Sequence, residues 1–220
     1  MKKVFLLILL FADIRAGEDV FKSVETIGFQ NFPPAVIFND SGLRKKGDSY
    51  TGDIRNIRKA MKSYSYFREY EVKEKDGRLS IAVTERIPAY RILACSDFNF
   101  IFEIDSDYRI ISSGRAFSKA PLLVINTVEL KNGKLSDRIC VFLEMIEIMK
   151  TSFTVASEIE EIDLTDGRKA VLKLRNRRTK FCFFAEKVSF AKIDALTGYF
   201  DRYSVYPECV ELYGENAVLY

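Results

Sequence analysis

The 220-residue chain is 48% apolar and 30% charged, with 34 Lys plus Arg against 31 Asp plus Glu. That composition is globular, sized for one large or two small domains, and its near-even charge gives no argument for nucleic acid as a partner. Histidine and tryptophan are absent, which excludes Ser-His-Asp and Cys-His catalysis, HExxH zinc chemistry and histidine pH switches.

The chain opens with Met1-Lys2-Lys3 and an apolar run from Val4 to Ala12. Lysines before a short apolar run are the charged and hydrophobic regions of a signal peptide. A spanning helix needs about 20 apolar residues, and this run is about half that. Residues 1–16 therefore read as a signal peptide or a short membrane anchor. Ile14 makes a poor cleavage context before Ala16-Gly17, and no cysteine follows for a lipid. A start codon assigned too late would hide a longer anchor. Under either export reading the remainder works outside the cytoplasm.

Residues 21–92 form the first expected domain. Ser23–Ile27 alternates as a strand, and Gly28 with Pro33-Pro34 ends it. Pro34 opens a short helix that Gly42 closes. Asp53 is the N-cap of a helix from Ile54 to about Tyr64, with Ile54, Ile57, Met61 and Tyr64 on its buried stripe. Arg55, Arg58, Lys59 and Lys62 make the opposite, solvated face. Asp76-Gly77 between two alternating runs predicts a type I′ hairpin, ended by Pro88. The order strand, helix, helix, strand, strand is a small α+β unit.

Residues 93–220 form the second expected domain, mixed α/β with a largely antiparallel sheet. Strands are expected at Tyr90–Ala94, Phe98–Ile104, Tyr108–Ser112 and Pro121–Ile125. Lys131–Lys134 is a loop. Ser136 caps a helix to Lys150, with Ile139, Phe142, Leu143, Ile146 and Met149 inward. Strands Glu158–Leu164, Lys169–Arg175 and Thr179–Ala185 follow, then a helix over Val188–Phe200. Cys209–Tyr213 and Ala217–Tyr220 are the last strands, separated by Gly214-Glu215-Asn216.

Catalytic motifs are missing: the chain has no Gly-rich phosphate loop and no nucleophile elbow. Glu160 and Glu161 are adjacent on a strand and point to opposite faces. Asp105 and Asp107 lie in a turn, where aspartate bonds its own backbone, and the loop lacks the glycine and closing glutamate of a calcium site. Cys95, Cys140, Cys182 and Cys209 include no CxxC pair, so they read as small buried hydrophobes, with pairing left open in an exported chain. No enzyme, metal or cofactor is expected.

Four stretches together resemble the bacterial cell-division FtsQ/DivIB family. Gly42–Asp48 is similar to the link between the helices of a POTRA domain. Ser65–Phe67, Glu71-Val72 and Leu79–Pro88 resemble the end of that domain. Phe102–Gly114 is similar to a hairpin of the second domain, with Tyr108 where a glycine is usual. Val210–Tyr220 resembles the closing motif, with Glu211 for the usual Asp and Tyr213 for the usual Arg. The resemblance implies a non-enzymatic, single-pass scaffold on the outer side of the cytoplasmic membrane at the division septum. It implies an N-terminal POTRA-like unit that takes part in recruitment. It further implies a second unit whose last strand holds FtsB/FtsL-like partners and so regulates septal peptidoglycan synthesis.

The residues of that strand support such a site in physical terms. An edge strand offers unpaired N–H and C=O groups to a partner strand, and exposed tyrosines are favoured at interfaces. The expected partner-binding residues are Tyr213, Gly214, Asn216, Ala217, Val218, Leu219 and Tyr220. A proline at Val218 is expected to abolish binding with the domain still folded. The alternative is a POTRA-containing envelope adaptor or outer-membrane assembly and secretion component, although the chain has no room for a barrel.

Overall fold

The structure, a computed structural model, describes residues 18–96, 100–128, 130–131, 134–135, 137–184 and 189–220. The expected signal or anchor segment 1–16, the Ser136 cap and the centre of the 131–134 loop lie outside the described residues. The molecule is a mixed α+β protein of two units, residues 1–63 with 69–84 and residues 64–68 with 85–220.

The first unit runs β1 (Asp19–Phe21), β2 (Ser23–Ile27), α1 (Pro34–Ser41), β3 (Arg44–Lys46), β4 (Ser49–Gly52), α2 (Ile54–Ser63), β5 (Phe67–Lys75) and β6 (Arg78–Glu85), with the first two residues of β5 and the last of β6 counted in the second unit. Its main sheet has the order β2-β6-β5, with β2 parallel to β6. A parallel pair needs a crossover connection, and α1 and α2 lie in it. Pro34 occupies the first turn of α1, and Gly42 ends the helix at φ 73°. Asp53 caps α2, its Oδ1 accepting from the Arg55 N–H at 2.8 Å. The Arg55 guanidinium also bonds it at 2.8 Å and holds its carboxyl below the usual range. On the inner stripe of α2, Ile57 and Met61 are fully buried, each stabilising by roughly 2 kcal/mol. The Asp76-Gly77 turn has φ of 53° and 74°, the two left-handed positions of a type I′ loop.

Arg44–Lys46 carries no alternation, yet it forms a strand. β3 and β4 make a hairpin closed at Gly47, φ 62°, and β4 pairs with β1 to give a three-stranded antiparallel sheet. Its pairing is carried by backbone hydrogen bonds, which periodicity does not report.

The second unit runs β7 (Pro88–Ala94), β8 (Phe100–Asp105), β9 (Ile110–Ser113), β10 (Leu122–Ile125), β11 (Leu130–Lys131), β12 (Lys134–Leu135), α3 (Asp137–Lys150), α4 (Thr154–Ser157), β13 (Ile159–Asp163), β14 (Lys169–Leu174), β15 (Lys180–Phe184), α5 (Phe190–Tyr203), β16 (Cys209–Tyr213) and β17 (Asn216–Leu219). Nine strands form one sheet in the order β17-β16-β15-β14-β13-β10-β7-β8-β9. Three of its eight pairings are parallel, β10 with β7, β10 with β13, and β15 with β16. The sheet is therefore largely antiparallel, with parallel pairs where the chain crosses over.

The expected boundary after Ile92 divides β7. The strand belongs to the nine-stranded sheet: Tyr90 and Ile92 enter the second unit's core, and Ala94, next in the alternation, is also buried. One sheet face buries Ile162, Leu172, Phe181 and Val210 against Leu143 and Ile146 of α3 and Phe190, Ile193 and Phe200 of α5. Asp105 behaves as a turn aspartate: its Oδ1 accepts from the Asp107 and Arg109 N–H groups, both at 3.0 Å. Tyr108, in that turn, has φ 58°, a left-handed position where glycine would carry no Cβ strain.

Candidate functional site

β17 lies at one end of the nine-stranded sheet. Its antiparallel register with β16 pairs Val210 with Leu219, Glu211 with Val218, Leu212 with Ala217 and Tyr213 with Asn216. Gly214 and Glu215 form the two-residue loop between them. Gly214 has φ 53°, at the loop position where a type II′ hairpin carries glycine.

Cys209 and Tyr220 exchange backbone hydrogen bonds at 3.0 and 3.5 Å. In an antiparallel ladder such pairs alternate with pairs that do not bond. Tyr220, Val218 and Asn216 therefore turn their backbone groups toward β16, and Leu219 and Ala217 turn theirs to the open edge. This overturns the choice of Val218 as the proline probe: its N–H belongs to the ladder within the domain.

The side chains divide by the same alternation, onto the two faces of the sheet. Tyr213, Val218 and Tyr220 share one sheet face and are 40%, 41% and 66% exposed. Phe184 joins them, its ring 6.4 Å from that of Tyr213 in an edge-to-face contact. Ala217 packs on the core, and Leu219, on the same face, is exposed. Asn216 and Gly214 are exposed at the hairpin tip.

Glu211 links this face. It accepts from the Tyr213 hydroxyl and, at 3.4 Å, from that of Tyr220, and lies 3.6 Å from the Lys169 ammonium. The Tyr213 bond holds the Glu211 carboxyl below its ordinary range, and the same bond pushes the Tyr213 hydroxyl up to about 12. Tyr213 thus stands where the resemblance puts an arginine, with its polar end already occupied.

Lys192, on the first turn of α5, donates to the Gly214 and Asn216 carbonyls, both at 2.8 Å. Its ammonium ties the hairpin tip to the helix. Sequence reasoning missed Lys192 and Phe184. A lysine on a helix face carries no mark of the carbonyls it will meet, and Phe184 reads as one apolar residue in an apolar strand. Cys182 and Cys209 also meet on the exposed face, with sulfurs 3.2 Å apart.

Among the described residues no group of three or more His, Cys, Asp or Glu is placed to hold a metal ion, and no helix is long and apolar enough to cross a membrane. No family model matches the chain, and no curated protein matches it in sequence.

Proposed function

We propose that this chain is a non-enzymatic division scaffold of the FtsQ/DivIB type. Its soluble part works on the outer side of the cytoplasmic membrane at the septum. Its first unit is POTRA-like, and its second unit takes FtsB/FtsL-like partners by strand addition along β17, regulating septal peptidoglycan synthesis. The observation that carries this reading is the open edge at β17. Ala217 and Leu219 aim backbone groups outward, and the strand has no charged residue across Asn216–Leu219.

A comparison within the molecule supports that choice. β5 is also at a sheet edge, but Arg68, Glu69, Glu71, Lys73, Glu74 and Lys75 fill it with charge. Charges along an edge are a common guard against strand pairing. The first unit's β2-β6-β5 order, with helices in the crossover, supports the POTRA-like part of the reading.

The test is localisation in growing host cells, with a fluorescent tag inserted between Lys131 and Lys134 so that β17 stays open. A mid-cell band in dividing cells is the expected result. A uniform envelope signal through the cycle overturns the division role and leaves a general envelope adaptor.

A further inference from the structure

The parallel register of β15 and β16 sets Cys209 opposite Lys180 and Glu211 opposite Cys182. The two cysteines are therefore diagonal neighbours on one sheet face, and their sulfurs stand 3.2 Å apart. A disulfide spans ~2.05 Å, so about 1 Å of closure separates the thiols from a bond. Both residues are half-buried. The other two cysteines are placed differently: Cys95 is exposed, and Cys140 lies 3.6 Å from the Leu135 carbonyl.

We propose that Cys182 and Cys209 are a redox pair that closes to a disulfide on meeting a small disulfide donor. One thiol, as thiolate, attacks the donor and forms a mixed disulfide, releasing the donor's first thiolate. The second cysteine then attacks the protein sulfur of that mixed disulfide, releasing the donor's other half. The S–S bond between Cys182 and Cys209 forms and the donor's S–S bond breaks. The protein loses two hydrogens, and the donor is reduced to two thiols.

The geometry favours the second step, because the resolving sulfur already touches the attacked one. Burial, with the Cys209 sulfur and the Glu211 charge alongside, pushes the Cys182 thiol up to about 12. A thiol raised in this way is a weak first attacker on any disulfide, so Cys209 opens the donor and Cys182, already in contact, resolves the mixed disulfide. The closed bond would span the whole crossover from β15 through α5 to β16. Cross-linking a long loop restricts the unfolded chain, so the oxidised form should melt several degrees higher. The bond would also fasten the β16–β17 hairpin to the rest of its sheet. None of this depends on the role proposed for that hairpin.

The experiment treats the folded full chain with oxidised glutathione, alkylates remaining thiols and digests with trypsin without reduction. The expected product is peptide 181–187 joined to peptide 203–220, lighter by two hydrogens than their sum, with Cys95 and Cys140 alkylated. Alkylation of Cys182 and Cys209, glutathione retained on either, or a link to Cys95 or Cys140 overturns the proposal. Melting with and without reductant supplies the second reading. A rise in the oxidised wild type that is absent from C182S and C209S is expected. An unchanged or lower melting temperature on oxidation overturns the fastening role.

Discussion

Val218 faces Glu211 across the β16–β17 ladder, and its backbone N–H points into the sheet. One residue along, the backbone of Leu219 points out. The ladder thus separates two kinds of proline substitution, which remove different donors from one four-residue strand.

Leu219→Pro and Ala217→Pro remove outward donors. Each lost backbone bond is worth about 1 kcal/mol, so partner affinity should fall about fivefold to tenfold with little loss of stability. Val218→Pro should lower the melting temperature instead, because it breaks a bond between β16 and β17. Calorimetric binding to an FtsB-like peptide, beside thermal melts, separates the two. If Val218→Pro folds as well as wild type and Leu219→Pro binds as well, the strand-addition edge is misassigned.

The Tyr213–Glu211 bond gives a stability contribution with a pH window. Glu211 is held below its ordinary value of 4.5, so its contribution is present above 4.5 and lost as pH falls through the lowered value. Tyr213 is raised from 10 to about 12, so its contribution is present below 10 and lost as pH rises through about 12. The difference in melting temperature between wild type and Tyr213→Phe should be greatest between those limits. It should shrink as pH falls below 4.5 and again as it rises from 10 toward 12. A difference that does not change with pH would mean the hydroxyl contributes nothing through Glu211.

Glu103 is fully buried, and its carboxylate accepts from the Phe117 N–H at 3.0 Å and the Ser118 N–H at 2.8 Å. Glu103→Ala leaves two donors without their acceptor, at about 2–4 kcal/mol. Glu103→Gln keeps one acceptor oxygen but brings an amide donor against a donor, so it should fall between. Urea melts of the three proteins test the ranking. A Gln variant as stable as wild type would assign the effect to volume rather than to hydrogen bonding.

Gly28 follows β2 at φ 82°, where an added Cβ would meet the Val83 carbonyl oxygen at 2.0 Å. A left-handed φ alone costs about 1–2 kcal/mol for an L side chain, and the clash is with backbone that cannot swing aside. Gly28→Ala should cost about 3 kcal/mol or more in total. Hydrogen exchange should show β2 and β6 losing protection first. Uniform loss across the second unit as well would contradict a local origin.

What the sequence made legible was local. The Asp76-Gly77 turn, the Asp53 cap and the Ile57–Met61 stripe each depend on residues a few positions apart, and each took the expected form. Cys209–Tyr213 was legible as a strand, and the strand after it stands at the sheet edge. Pairing between distant strands was not legible. Nothing in Leu122–Ile125 says that it lies between β7 and β13. The contact of Cys182 with Cys209 depends on the register of a parallel pair, which the intervening crossover conceals. The direction of Val218's N–H was hidden for the same reason: alternation assigns side chains to faces, but only the register assigns backbone groups to neighbours.

The position of β10 has a kinetic consequence. It is four residues long and parallel to both neighbours, and among the described residues its ladders are what join β7, β8 and β9 to the strands from β13 to β17. The outer pairings include hairpins of short loop, which form within microseconds. Those of β10 close loops of roughly thirty residues or more, whose entropy must be overcome before any contact rewards it. The parallel β15–β16 pair closes a loop of similar length around α5. Refolding should therefore join three locally formed pieces, β7 to β9, β13 to β15 and β16 with β17. The slow phases should report the β10 ladders, with Leu123 between Ile92 and Ile162, and the β15–β16 ladder.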